Sequence, residues 1–434
     1  MHLVSLNVPD LLLGLWRGTI NCHGGDRLSS WPWLKLQKGR IWEAHGKTVE
    51  MATPYLPSSF DRAPRNPAEK INSGYKAWEY LLYIFALGPA LLKPILPDLY
   101  FKNYCKLVRG IQLLQQHSIP HEQLMLGTRL LHEFVREFEE LYYQRKTSRI
   151  HFIWQSVHLL THIASEIMRA GPLACYAQWT MESAIGSLGD EIRQAQDPYA
   201  NISQRGILRA QFNAINSMMP TLSLKDENRL PAHSMDLGDG YVLMTACDKV
   251  LRSVSENEAA AIFKLWETNR WPNLHHWTKE VKRWARLRIP NGQVARSVWG
   301  ESRTRKKLRR TTIVKVSYEI CAIRFGEVQY YFYLAFGDET HTISVLSVFS
   351  DPDSELLKDS HLVFQYLCRL MDPRILVAID VKQIKSLVAM IPYYTVTEQG
   401  EIDIPHTKHF LVEKPHLELT FFRPLEDPDS DTEE

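Results

Sequence analysis

A chain of 434 residues, 45% hydrophobic and 23% charged, has the composition of a globular protein long enough for two or three domains. Its formal net charge of +2 gives no whole-chain attraction for a polyanion, so any nucleic-acid contact has to come from local clustering. Six cysteines stand far apart with no Cys-x-x-Cys, which excludes a cysteine-pair zinc site and fits reduced thiols of the cytosol or nucleus.

Residues 3–17 have the spacing of an amphipathic helix, with no polar cap before it and no basic leader of the secretory kind. Residues 21–75 are rich in Gly, Pro and Trp and predict packed irregular structure. Arg62, Arg65 and Lys70 in this loop suit either phosphate contacts or a solvated surface. Helices are predicted over 75–87, stopped by Gly88-Pro89, then over 98–116 and 122–145. The longest uncharged apolar run, 80–92, has 13 residues. A bilayer span needs roughly 20.

Residues 151–193 hold the densest group of candidate site residues. His158 and His162, four apart, share one helix face. Gly171-Pro172 breaks that helix. A second helix carries Glu182 after Trp179-Thr180-Met181 and before Ile185 and Leu188, which predicts a place near the core face. The histidines suit half a metal site or an apolar core; Glu182 suits a buried salt bridge or a metal ligand. A further helix is predicted over 201–218.

Residues 221–245 are polar, with Pro231, Gly238 and Gly240, and mark a domain boundary. After a helix over 256–266 the chain turns basic and Trp-rich. Between Lys279 and Arg310 there are twelve Lys/Arg against two acids. Lys279, Lys282, Arg283, Arg286, Arg288, Arg303, Arg305, Lys306, Lys307, Arg309 and Arg310 form a candidate nucleic-acid stripe with tryptophans as stacking platforms. A nuclear-import signal, or a linker whose tryptophans pack on the next domain, fits the same residues. From Thr311 the period changes. Short β-branched and aromatic runs at 312–316, 328–334, 342–346, 375–379, 387–391 and 410–412, separated by turn residues, predict a small antiparallel barrel or sheet. The tail 424–434 is acidic and predicts disorder. There is no Walker loop, no Gly-x-Ser-x-Gly and no dinucleotide fingerprint.

An ordered set of segments resembles the fungal CACTA-type (En/Spm-like) DDE/D DNA transposases. It comprises Met1-His2-Leu3; Leu6-Asn7-Val8-Pro9-Asp10-Leu11-Leu12; Leu15-Trp16-Arg17-Gly18-Thr19; Phe60-Asp61-Arg62; Pro64-Arg65-Asn66-Pro67 through Tyr75-Lys76-Ala77-Trp78-Glu79; Tyr104-Cys105-Lys106-Leu107-Val108-Arg109-Gly110; the stretch 151–193; and Gln293-Val294-Ala295-Arg296-Ser297. The resemblance runs over most of residues 1–415. It implies an RNase H-like catalytic core, DNA at transposon ends and further copies of the chain as partners, a nuclear location, and neither a membrane nor a small-molecule substrate. It implies Glu182 as the third catalytic acid and metal ligand, with His158, His162 and His2 as supporting residues. It also places the two catalytic aspartates before Met1. That would explain the uncapped first helix and implies a truncated, inactive chain needing no cofactor of its own, with Mg2+ or Mn2+ bound only in an intact enzyme.

The expected fold is thus α+β. A helical part, 1–220, is a truncated RNase H-like core with a helical insertion. A linker and basic Trp-rich region, 221–310, leads to an antiparallel β-rich domain, 311–423, and the tail. The alternative function is a non-catalytic DNA-binding or protein-interaction remnant.

Overall fold

Helical periodicity governs the N-terminal half. The computed structural model describes residues 1–192, 196–219, 230–271, 277–303, 309–318, 322–336, 339–363, 375–404 and 408–419. Among the described residues no strand precedes Met235. The first helix opens with a wide turn, Leu3–Asn7, and continues as Val8–Arg17, closed by Gly18 in the left-handed region (φ 69°). Leu11, Leu12, Leu13, Leu15 and Trp16 are all buried, so its apolar residues are covered from within this chain.

The helix at Gly88-Pro89 corrects the sequence expectation. It does not stop there: Ala77–Leu82 passes through a wide turn, Tyr83–Leu87, into Gly88–Leu92. Proline in a helix orphans carbonyls one turn earlier. Here the helix Asp98–Leu114 supplies the missing donors. Tyr104 Oη donates to the Ile84 carbonyl, and Gln112 Nε2 donates to the Phe85 carbonyl at 2.8 Å. Gly88 is required, since a Cβ there would lie 2.2 Å from the Tyr104 hydroxyl.

Asp98–Leu114 packs against His121–Phe138, with Gly110 and Gly127 facing at the crossing. A Cβ on Gly110 would meet Leu131 Cδ2 at 2.7 Å and the Gly127 carbonyl oxygen at 3.2 Å. Gly110→Val is therefore expected to lower unfolding free energy by about 1–3 kcal/mol through overpacking. Urea denaturation checks it, and a variant as stable as the parent would show that the crossing can yield.

Ten strands form one antiparallel sheet among the described residues. They are β1 (Met235–Asp236), β2 (Val242–Cys247), β3 (Trp284–Arg288), β4 (Val294–Arg296), β5 (Ile313–Tyr318), β6 (Ala322–Phe336), β7 (Glu339–Val348), β8 (Leu376–Asp380), β9 (Ile384–Pro392) and β10 (His409–Glu413). Strands β5 to β8 form a meander. A short turn, Val381–Gln383, leads into β9, which returns to pair with β5 at Ile384↔Val316 and Leu387↔Val314. The sheet thereby curls into a partly closed barrel.

The long strand β6 also reaches β3 at Trp284↔Tyr331, which joins β1–β4 to the same sheet. Residues 235–296, expected mostly as boundary and linker, therefore contribute four strands to this sheet. They also hold the helix Glu256–Asn269, capped by Ser255 and Glu258.

Strand β9 connects the two halves. Ile384 and Leu387 sit in the barrel core, whereas Ala389 and Ile391 belong to the helical core with Phe410 and Val412 of β10. Burial on both faces accounts for its nearly unbroken apolar run. The architecture is α+β, helical first and β-rich second. Among the described residues no helix is long and apolar enough to cross a membrane.

Candidate functional site

Glu182 lies in the first turn of the helix Trp179–Asp190. That helix is anchored at its start. The Trp179 ring packs edge-on against Trp78 at 5.1 Å and lies 6.5 Å from His416. Beyond Trp179 the helix projects outward. Glu182 is exposed, as are Met181 and Ile185, at 51% and 56%. This corrects the expectation of a core-facing acid: of the apolar neighbours that suggested a core, Ile185 is itself in solvent and Leu188 is only half-buried. The next helix, Pro198–Met218, is attached through Arg209, which bonds Ser187 at 2.9 Å and Glu191 at 2.5 Å. It too leaves Ile207, Leu208, Phe212, Ile215 and Met218 exposed.

His158 and His162 are also exposed, so neither is a core residue. They flank a tightening of the helix, from Gln155–Leu159 through the turn Leu160–His162 into Ile163–Ala170. Their Nε2 atoms lie 3.0 Å apart. His162 lines a cleft of about 590 Å3 together with Met1, Glu166, Gln178, Trp179 and His416. The fold thus brings His162 to the base of the Glu182 helix, while Glu182 itself is not in the cleft wall. His2 is exposed at the start of the first helix and is not in the lining either.

His416 lies far outside the stretch singled out by sequence and carried no spacing signal. Its Nδ1 meets the Gln115 carbonyl at 3.1 Å, and its ring stacks on Trp78. Burial pushes its pKa down to about 4.

Among the described residues no group of three or more His, Cys, Asp or Glu gathers to hold a metal ion. One exposed carboxylate does not fit a two-ion site, which needs several converging acids. These residues alone therefore give no route to metal-dependent strand cleavage.

The basic stripe is largely engaged within the chain. Lys279 pairs with Glu256 at 3.0 Å and Arg283 with Asp248 at 2.8 Å. Arg286 Nε donates to the Thr245 carbonyl at 2.7 Å. Arg309 donates to the carbonyls of Leu56, at 2.6 Å, and Asp61, at 2.9 Å. Arg283 and Arg303 lie over the Trp299 ring, each at 5.0 Å, and Arg310 lies over Tyr55 at 5.2 Å. Lys282 and Arg288 are half-buried beside the same strands. Arg305, Lys306 and Lys307 fall outside the described residues, as does the acidic tail. The tryptophans pack inward: Trp284 is in the barrel core, and Trp271 stacks on His341 at 4.1 Å. Arg65, a phosphate candidate, instead grips the buried Glu79 through Nε at 2.6 Å and Nη2 at 2.8 Å.

No family model, no curated protein and no solved structure matches the chain.

Proposed function

We propose that this chain carries the C-terminal portion of a CACTA-like DDE/D transposase and that Glu182 is one acid of its catalytic set. The observation that carries the reading is the helix pair Trp179–Asp190 and Pro198–Met218, which holds Glu182 and leaves its own apolar side chains uncovered. Exposed apolar faces of this extent mark surfaces that take a partner. Helices laid against an RNase H-like sheet would have such faces, and among the described residues no strand of the sheet covers them. The ordered segments that resemble the family supply the rest of the support. In an intact enzyme Mg2+ or Mn2+ would be shared between Glu182 and two further carboxylates.

Two measurements test the reading together. The 434-residue protein alone is expected to leave supercoiled DNA uncut in Mg2+ or Mn2+. The same protein joined to the product of the reading frame preceding Met1 is expected to cut, with at least a hundredfold loss on Glu182→Gln. Cutting that survives Glu182→Gln would remove Glu182 from the catalytic set.

A further inference from the structure

We propose that His158 and His162 form an open, two-point chelating site for a divalent transition metal ion of the nickel or copper type. The inference stands apart from the transposase reading, since it concerns neither Glu182 nor the hard cations of strand cleavage.

The geometry comes from the local chain path. In a continuous α-helix, residues four apart sit one above the other on the same face. Here the turn Leu160–His162 tightens between the two histidines. It sets the rings edge to face at 4.8 Å between centroids, with the two Nε2 atoms 3.0 Å apart. Metal–imidazole bonds of about 2.0–2.1 Å that span 3.0 Å subtend an angle of about 91–97° at the ion. A tetrahedral ion would need nitrogens about 3.3–3.4 Å apart. The metal-free separation is thus close to that of two adjacent positions in a tetragonal site, the preference of Cu2+ and Ni2+.

Access and charge agree with this. Both imidazoles are exposed, so an ion reaches them without local unfolding. Without metal, one Nε2–H donates to the other Nε2. With metal, that hydrogen moves to the Nδ1 of its own ring, so that both Nε2 lone pairs face the ion. With no third protein ligand gathered nearby among the described residues, the remaining positions take water. Glu166, one turn beyond His162, keeps one carboxylate oxygen on Arg169 at 2.5 Å and lines the neighbouring cleft. A bound ion would pin the joint between the two helical segments at the edge of that cleft.

The test uses the untagged full-length chain carrying His2→Gln, which removes the competing chelate of the N-terminal amine and its adjacent histidine. Calorimetric titration with NiCl2 in a non-coordinating buffer is expected to show one saturable ion per chain. His158→Gln and His162→Gln should each weaken binding at least tenfold, with circular dichroism unchanged. His132→Gln, on the neighbouring helix, should bind as the parent does. A second reading needs no variant at either site residue: one equivalent of Cu2+ should show an electron paramagnetic resonance spectrum with coupling to two nitrogens. Absence of a saturable site, or undiminished binding by both variants, overturns the proposal. So does a copper spectrum with coupling to fewer than two nitrogens.

Discussion

Arg149→Ala is expected to lower the unfolding free energy by about 3–5 kcal/mol, the usual result of removing one partner of a buried ion pair. The Arg149 side chain has no exposed surface and Asp26 only 5%. Nε and Nη2 of Arg149 bond the two Asp26 oxygens at 2.7 and 2.8 Å, and Nη1 bonds Gln144 at 2.6 Å. Trp31 Nε1 adds a 2.8 Å bond to the same carboxylate. The pair ties the irregular Trp-rich segment to the short helix Thr147–Phe152, and the guanidinium lies over the Trp33 ring at 5.1 Å. Removal of the guanidinium leaves an anion buried against aromatic rings.

The Arg149 guanidinium holds the Asp26 carboxyl well below the usual carboxylate range. The pair's contribution is therefore present above pH about 4 and fades as pH falls below it. The checks are urea midpoints for Arg149→Ala, Asp26→Ala and the double variant. The double variant should be well short of the sum of the singles, because each single strands a charge and the double strands none. Additive losses would show that the two groups do not act on each other.

The helices 98–114 and 121–138 were legible because their apolar residues recur at helical spacing over four or more turns. The strands from β5 onward were legible from alternation and turn residues. Strand β3 was not, although its period was present. Ala285, Leu287 and Ile289 point inward while Arg286 and Arg288 alternate with them, half-buried. Local charge density drew attention to the arginines as a stripe and hid the alternation. The same arginines serve as outer-face residues of a sheet, and most make contacts inside the chain. The helix through Gly88-Pro89 was hidden for a different reason. The donors that rescue its orphaned carbonyls lie some twenty residues or more away, at Tyr104 and Gln112.

The site was legible only in part. Sequence picked out Glu182 and the histidine pair, and the fold places them on neighbouring segments. It could not show that Ile185, taken as a marker of the core, faces solvent with Glu182. Periodicity reports which residues share a face, not whether anything covers it. Arg65 shows the converse limit. Its partner Glu79 is fully buried on another segment and takes both a bidentate guanidinium and the Lys76 backbone N–H, at 2.9 Å.

Acid is expected to destabilise the protein well before its carboxylates are protonated. His45 is fully buried, with Nε2 2.8 Å from Tyr83 Oη and no partner for Nδ1. Burial pushes its pKa down to about 3. Charging it would place an unpaired N–H of a cation in the helical core. Unfolded, the same histidine titrates near 6.5. Between these values the unfolded chain binds a proton that the folded chain does not, so stability rises with pH across the window. It is lost as pH falls below about 6.5, at up to about 1.4 kcal/mol per pH unit for one such group. His416, pushed down to about 4 by burial, acts in the same direction over a narrower window. Urea midpoints of the parent should therefore drop steeply from pH 7 to pH 5. Those of His45→Phe should drop less, after a pH-independent loss from the missing Tyr83 bond. Equal slopes for parent and variant would mean that His45 is charged in the folded protein, with a counter-charge reaching it in the core.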